Sequence, residues 1–178
     1  MRASATLLIF AKAPEPGRVK TRLASHVGPL RAAQIHRELV RHSIANLSNG
    51  PWKTQLWCAP GCGHPFFQPY RQHRHLSLHR QQGGDLGQRM HHAMTAALRR
   101  SASAILIGSD CPYLTPDHLE AALDALRRGN DAVLIPARDG GYVLLGLRRP
   151  QATLFQDIPW GSPSVLTSTR ARLRQARL

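Results

Sequence analysis

A chain of 178 residues, 42% hydrophobic and 6% aromatic, suits one globular domain and excludes a disordered or fibrous polypeptide. No apolar run approaches the roughly 20 residues that span a bilayer, and Thr6–Phe10 is too short for a secretory core, so a cytoplasmic setting is expected. The net charge of +14 attracts polyanions, which admits phosphate-rich small substrates and nucleic acid alike.

In chain order, Ala5–Phe10 is a short apolar run that predicts a buried strand, closed by a Pro/Gly-rich loop over Ala11–Arg18. Pro29–Leu47 predicts a helix with Leu30, Ala33, Ile35, Leu39, Ile44 and Leu47 on its apolar face. Thr54–Cys58 is the next strand. Residues Ala59–His79 lack periodicity and predict a loop-rich connection, with a short helix and a strand near Leu76–Leu78. Met90, Met94, Ala97 and Leu98 recur at helical spacing within Gly87–Arg100. Ala104–Ile107 is a strand ending in Gly108-Ser109-Asp110-Cys111-Pro112. Thr115-Pro116-Asp117 carries an N-cap, a first-turn proline and an early acid, opening a helix that Gly129 ends. Ala132–Ile135 and Tyr142–Leu147 predict strands around a Gly140-Gly141 turn, and Ser162-Pro163 opens a last helix. Strands alternating with helices imply a single-domain α/β/α sandwich with a mostly parallel sheet.

Ligands of such sheets gather at the carboxyl ends of the strands, and three segments there can carry chemistry. The loop after the first strand holds Lys12, Gly17, Arg18, Lys20 and Arg22; a glycine lets backbone N–H groups approach phosphate, and arginine clasps it with paired hydrogen bonds. It matches neither the Walker A nor the dinucleotide spacing, and a solvated basic turn is an equal reading. Asp110, just past a buried strand, is placed to hold a metal ion. Asp139 is a candidate second ligand, with Gly140 and Gly141 leaving room for substrate beside Tyr142. The plainer reading makes both carboxylates turn formers. Between these lies Gln82–Met90, where Gly84, Asp85 and Arg89 either line a nucleotide pocket or, with Asp85 as cap, start a helix.

Cys58, Cys62 and Cys111 form no disulfide framework and read as reduced thiols. Cys58, Cys62 and His64 could supply three zinc ligands, with Cys111, His73, His75 or His79 as a fourth, but no paired Cys-x-x-Cys motif supports that reading. Scarce aromatic residues leave few platforms for stacking bases, which argues against nucleic acid as the main partner.

The motifs Phe10–Leu23, Gln82–Met90, Gly108–Leu114, Asp139–Leu147 and Ile158–Ser162, in this order, resemble a bacterial family of glycosyltransferase-A-like transferases sometimes filed under arsenosugar biosynthesis. More distantly the chain resembles 2-phospholactate and molybdenum-cofactor guanylyltransferases. The resemblance implies the nucleotide-diphospho-sugar transferase fold, a nucleotide or nucleotide-sugar donor, and Mg²⁺ or Mn²⁺. It further implies that the Lys12–Arg22 loop binds phosphates, that Asp110 takes the place of the metal-binding aspartate with Asp139 facing the same site, that Gly83–Arg89 flanks the nucleotide, and that Trp160 lies on the side of a small-molecule acceptor. Ser109-Asp110 departs from the two-aspartate form of the metal motif. The chain also stops soon after the Ser162 helix, whereas relatives often continue to a further acidic segment, so a single domain over residues 1–178 with a shortened C-terminus is expected. Missing the nucleotidyltransferase glycine-rich start, the chain reads first as a glycosyltransferase, second as a nucleotidyltransferase that releases pyrophosphate, and third as a non-catalytic anion-binding protein.

Overall fold

Leu7, Leu8 and Ile9 are all but inaccessible to solvent, because the strand that carries them is covered on both faces. In the computed structural model, which describes residues 3–178, this strand is β1 (Ala3–Lys12); residues 1 and 2 of the expected domain lie outside the described residues. Alternation sends Leu7, Ile9 and Ala11 into one core and Leu8 and Phe10 into the other. The same division holds in β4 (Ser101–Gly108), with Ile105 and Ile107 on one face and Ala104 and Leu106 on the other. Two cores on the two faces of one sheet make the three-layer sandwich that the sequence predicts.

Six strands lie in the order β3-β2-β1-β4-β6-β5. β2 (Lys53–Ala59) and β4 flank β1 in parallel, and β3 (Leu76–Arg80) runs parallel to β2 at the edge. β6 (Tyr142–Leu147) is antiparallel both to β4 and to β5 (Ala132–Pro136), so one strand of six is reversed.

Helices α2 (Pro29–Leu47) and α4 (Pro116–Arg127) cover the first core with Val40, Ile44, Leu119 and Leu123. Helix α3 (Leu86–Leu98) covers the second with Met90, Ala93, Met94 and Ala97. The final helix, α5 (Val165–Gln175), reaches that core through Leu173. Phe67, in a 3-10 segment over Pro65–Gln72, fills the first core and gives the predicted short helix its anchor.

Three local expectations need correction. Helix α1 (Thr21–Val27) was not foreseen; it buries no residue, so it leaves no apolar period to read. The buried face of α2 is Ala32, Ala33, His36, Val40, Ser43, Ile44 and Leu47, while Leu30 and Ile35 are exposed, because small and polar residues let the helix sit close to the sheet. The last helix starts at Val165 behind Ser164, not at Ser162-Pro163, since Gly140 holds the Pro163 backbone in the preceding loop. No helix among the described residues is long and apolar enough to cross a membrane.

Candidate functional site

Four parallel strands end on one edge of the sheet, at Lys12, Ala59, Arg80 and Gly108. The chain leaves β1 towards β2 on one side and returns as β4 on the other, so the switch point of the topology lies between β1 and β4. A cavity of about 630 Å³ opens beside it, at the ends of β1, β2 and β3, lined by Lys12, Arg18, Arg80, Gln81, Gly83 and Arg89 among others. It adjoins a cavity of about 330 Å³ that holds Lys20, His36 and Asp110; Lys12, Arg18, Val19 and Gln81 border both. The larger volume is that of a nucleotide-sized pocket, and Glu15 is the one acidic residue on its wall against four basic ones.

The loop from Ala13 to Lys20 is shaped by its own backbone. Ala13 N–H donates to Ala59 O at 2.7 Å, which pins the loop to the end of β2. Gly17 turns it in the left-handed region at φ 77°. Glu15 lies 3.3 Å from Arg18 Nε and 3.5 Å from His64 Nε2. A surface pair such as Glu15–Arg18 stabilises by less than about 1 kcal/mol, so it orients the loop rather than holds the fold.

Lys20 is also left-handed, at φ 48°, although it has a side chain. Its Nζ lies 3.1 Å from Asp110 Oδ1. On the other side of that carboxylate stands His36, whose Nε2–H donates to Lys12 O at 3.0 Å. A carbonyl only accepts, so Nε2 carries a proton. Nδ1 is left 3.7 Å from Asp110 Oδ1, longer than a hydrogen bond, and is buried without a partner among the described residues. The approach of His36, and then the Lys20 ammonium, holds the Asp110 carboxyl below the usual carboxylate range against the opposing effect of partial burial. The carboxylate is 64% exposed, so a ligand can reach it.

Asp85 caps α3, its Oδ1 accepting from Gln88 N–H at 2.8 Å. Gly84 N–H donates to Gln88 Oε1 at 3.0 Å, and Arg89 Nε donates to Gly83 O at 2.9 Å. The loop thus folds back on the helix it starts, and Arg89 and Gly83 face the larger cavity while Gly84 and Asp85 do not line it.

Asp139 lies elsewhere. Its Oδ1 accepts from Gly141 N–H at 3.1 Å, the turn-forming role that the plainer reading gave it. It lines a third cavity, of about 220 Å³, with Arg22, Gly141, Gly161, Ser162 and Pro163. Arg22 thereby leaves the other loop cations, donating to Gly161 O at 3.4 Å. Asp110 and Asp139 line different cavities, and among the described residues no three His, Cys, Asp or Glu side chains converge on a point that could hold a metal ion. Gly140 sits so close to Pro163 O that a side chain at that position would overlap it.

Tyr142 and Trp160 pack edge to face, ring centres 6.5 Å apart, against the second core. Burial pushes the Tyr142 phenol well above its ordinary range, with Thr169 opposing. Trp160 Nε1 and Phe155 O crowd Gly87, which ties the segment after β6 to the start of α3. Cys58 is buried in the first core and its Sγ–H donates to Leu56 O at 3.5 Å; burial, and then neighbouring Cys62, push its thiol up. All three cysteines are free.

Sequence reading missed three residues of these walls. His36 looks like a solvated helix position because its neighbours Ile35 and Leu39 draw the apolar face away from it; the spacing Ala32-His36-Val40 is the signal that would have found it. Arg80 closes β3 and Gln81 follows it, just past the strand expected near Leu76–Leu78, in a stretch with no periodicity to mark them. Gln81 Nε2 donates to Trp57 O at 2.8 Å and stands where the two cavities meet.

Residues 43–162 match a family described as uncharacterized protein conserved in bacteria (DUF2064). The chain belongs to that family. It is also similar, at 36% identity and a TM-score of 0.89, to a protein from Desulfovibrio desulfuricans G20 provisionally named a nucleotide-diphospho-sugar transferase; the match covers 100% of this chain and 78% of that one. CMP:2-keto-3-deoxy-manno-octonic acid synthetase, solved with CTP, matches at 13% identity and a TM-score of 0.52, over 98% of this chain and 86% of the other. The 4-diphosphocytidyl-2C-methyl-D-erythritol synthase of Anaerococcus prevotii DSM 20548 matches at 10% identity and a TM-score of 0.56, over 98% and 84%. At these identities the last two matches show a shared fold alone. No curated protein matches the chain.

Proposed function

We propose that this protein is a metal-dependent transferase that takes a nucleotide-sugar donor in the basic cavity at the ends of β1, β2 and β3 and passes the sugar to a small-molecule acceptor. The observation that carries the reading is the placement of Asp110: an ionised, reachable carboxylate at the switch point, beside a cavity walled by Lys12, Arg18, Arg80 and Arg89. The provisional name of the Desulfovibrio relative supports the donor class. The narrower arsenosugar-type grouping rests on the motif resemblance alone.

The donor set fits a divalent ion. Magnesium takes one or two protein carboxylates and completes its shell with phosphate and water, so Asp110 suffices as the protein anchor. Such an ion, when bound, neutralises charge on the diphosphate that leaves. The chain's own residues do the rest. Lys12 and Arg18 on one wall and Arg89 on the other hold phosphate oxygens, and arginine does so with two parallel bonds. Lys20 reaches from Asp110 towards the same oxygens and offsets the charge that develops there. Asp139, Gly141 and Ser162 line a separate small cavity of mixed polar and apolar character that suits part of the acceptor.

The test is a thermal-shift series with nucleoside diphosphates, nucleoside triphosphates and nucleotide sugars, each with and without Mg²⁺ or Mn²⁺. Ligand bound to the folded state raises the melting temperature by mass action. We expect a metal-dependent rise with one diphosphate class and its nucleotide sugar, lost in Asp110→Asn. Release of pyrophosphate from a triphosphate would replace sugar transfer by nucleotidyl transfer. Absence of any rise would leave an anion-binding protein.

A further inference from the structure

His36 presents an unusual combination. Its side chain is only 7% exposed, its Nε2–H is committed to Lys12 O at 3.0 Å, and its Nδ1 is buried, without a partner among the described residues, and aimed at Asp110 Oδ1. With Nε2–H committed to that carbonyl, Nδ1 is the ring atom left to face the carboxylate, 3.7 Å away and beyond hydrogen-bond reach. Two donors each about 2.1 Å from a common ion stand about 3.0 Å apart at a right angle and about 3.4 Å apart at a tetrahedral one, so the exposed Asp110 side chain has to close by only a few tenths of an ångström for the pair to share an ion. The hydrogen bond to a backbone carbonyl is the partner that fixes ligating histidines in their tautomer.

We propose that His36 Nδ1 and Asp110 Oδ1 are two ligands of one divalent ion, and that the imidazole turns the site's preference from magnesium to manganese or another borderline ion. The inference rests on the reading of Asp110 as the metal-bearing carboxylate and adds the second ligand. Imidazole suits transition ions, whereas magnesium prefers oxygen. Lys20 Nζ is the cation that faces the carboxylate at present, 3.1 Å away. Its flexible stem carries it to a phosphate oxygen when the ion takes its place.

Binding of Mn²⁺ to the full chain, followed by electron paramagnetic resonance, tests this without reference to turnover. Samples contain Mn²⁺ alone and Mn²⁺ with a nucleoside diphosphate, in protein labelled with ¹⁵N-histidine and in unlabelled protein. The expected result is bound Mn²⁺ whose spin-echo modulation shows one histidine nitrogen. His36→Gln and Asp110→Asn should each abolish that modulation, and His36→Gln should weaken Mn²⁺ by at least about tenfold, the lower end of what losing even an outer partner does at metal sites. Mg²⁺ affinity should change less, so the preference for manganese narrows in that variant. Bound Mn²⁺ with no histidine modulation, while the nucleotide still binds, would overturn the inference and leave the transferase reading standing. If neither Mn²⁺ nor any nucleotide binds, both fail. Should His36→Gln not fold, the exposed Asp110→Asn decides: histidine modulation that survives there shows that the two residues do not hold one ion together and overturns the proposal.

Discussion

Lys20 adopts a left-handed backbone that costs a residue with a side chain about 1–2 kcal/mol. Strain of this kind persists only where the surroundings over-determine it, and here the ion pair with Asp110 fixes the side chain. Replacing the lysine with glycine or with alanine removes that pair equally, so the difference between the two variants isolates the backbone. Lys20→Gly is expected to be about 1 kcal/mol more stable than Lys20→Ala in urea unfolding. Equal stabilities would show that this position is not strained. Both variants should bind nucleoside diphosphate more weakly than the parent chain, since each removes a cation from the phosphate side.

The hairpin of β5 and β6 shows how one glycine can decide an element's position. Gly140 has φ 85°, its O accepts from Leu166 N–H at 2.8 Å, and Pro163 O lies where a Cβ would stand. Gly140→Ala therefore combines a left-handed penalty with overpacking against backbone, and is expected to lower stability by about 3 kcal/mol, measured by thermal or urea unfolding. A change under about 0.5 kcal/mol would mean that the two loops do not meet. At this scale the sequence was legible wherever burial follows a simple period. Leu7–Ile9 and Ile105–Ile107 are continuous apolar runs because both faces of the sheet are covered, and α3 and α4 show their stripes openly. It was opaque where burial does not track hydrophobicity. Helix α1 buries nothing, and α2 turns two alanines, a histidine and a serine inward while Leu30 faces solvent. The site follows the same rule. Lys12, Arg18 and Arg89, at a strand end, in a loop and in the first turn of a helix, could be read and meet in one cavity, whereas His36 was hidden by its neighbours on the helix and Arg80 stood just past the strand read near Leu76–Leu78. That Asp110 and Asp139 line separate cavities depends on the sheet order, which no local pattern records.

Across the whole molecule a net charge of +14 gathers any polyanion. Retention on heparin should be strong at low ionic strength and fall steeply as salt screens the dispersed surface cations. Metal-dependent nucleotide stabilisation should decline far less over the same range, because a pocket that holds its ligand through an ion and close hydrogen bonds is screened less. Parallel loss of both would mark surface attraction as the whole of the binding. The reversed strand has a separate meaning for how such a chain can change. Since β6 runs against its neighbours, the turn over 137–141 rises to the same edge where β1 to β4 end, yet it is joined to the sheet only through β5 and β6. The walls of the basic cavity come from the first half of the chain and those of the Asp139 cavity mostly from the second. The two chambers can therefore change separately: diversification of residues 137–141 and 161–165 alters the Asp139 chamber and leaves the lining of the larger basic cavity as it was.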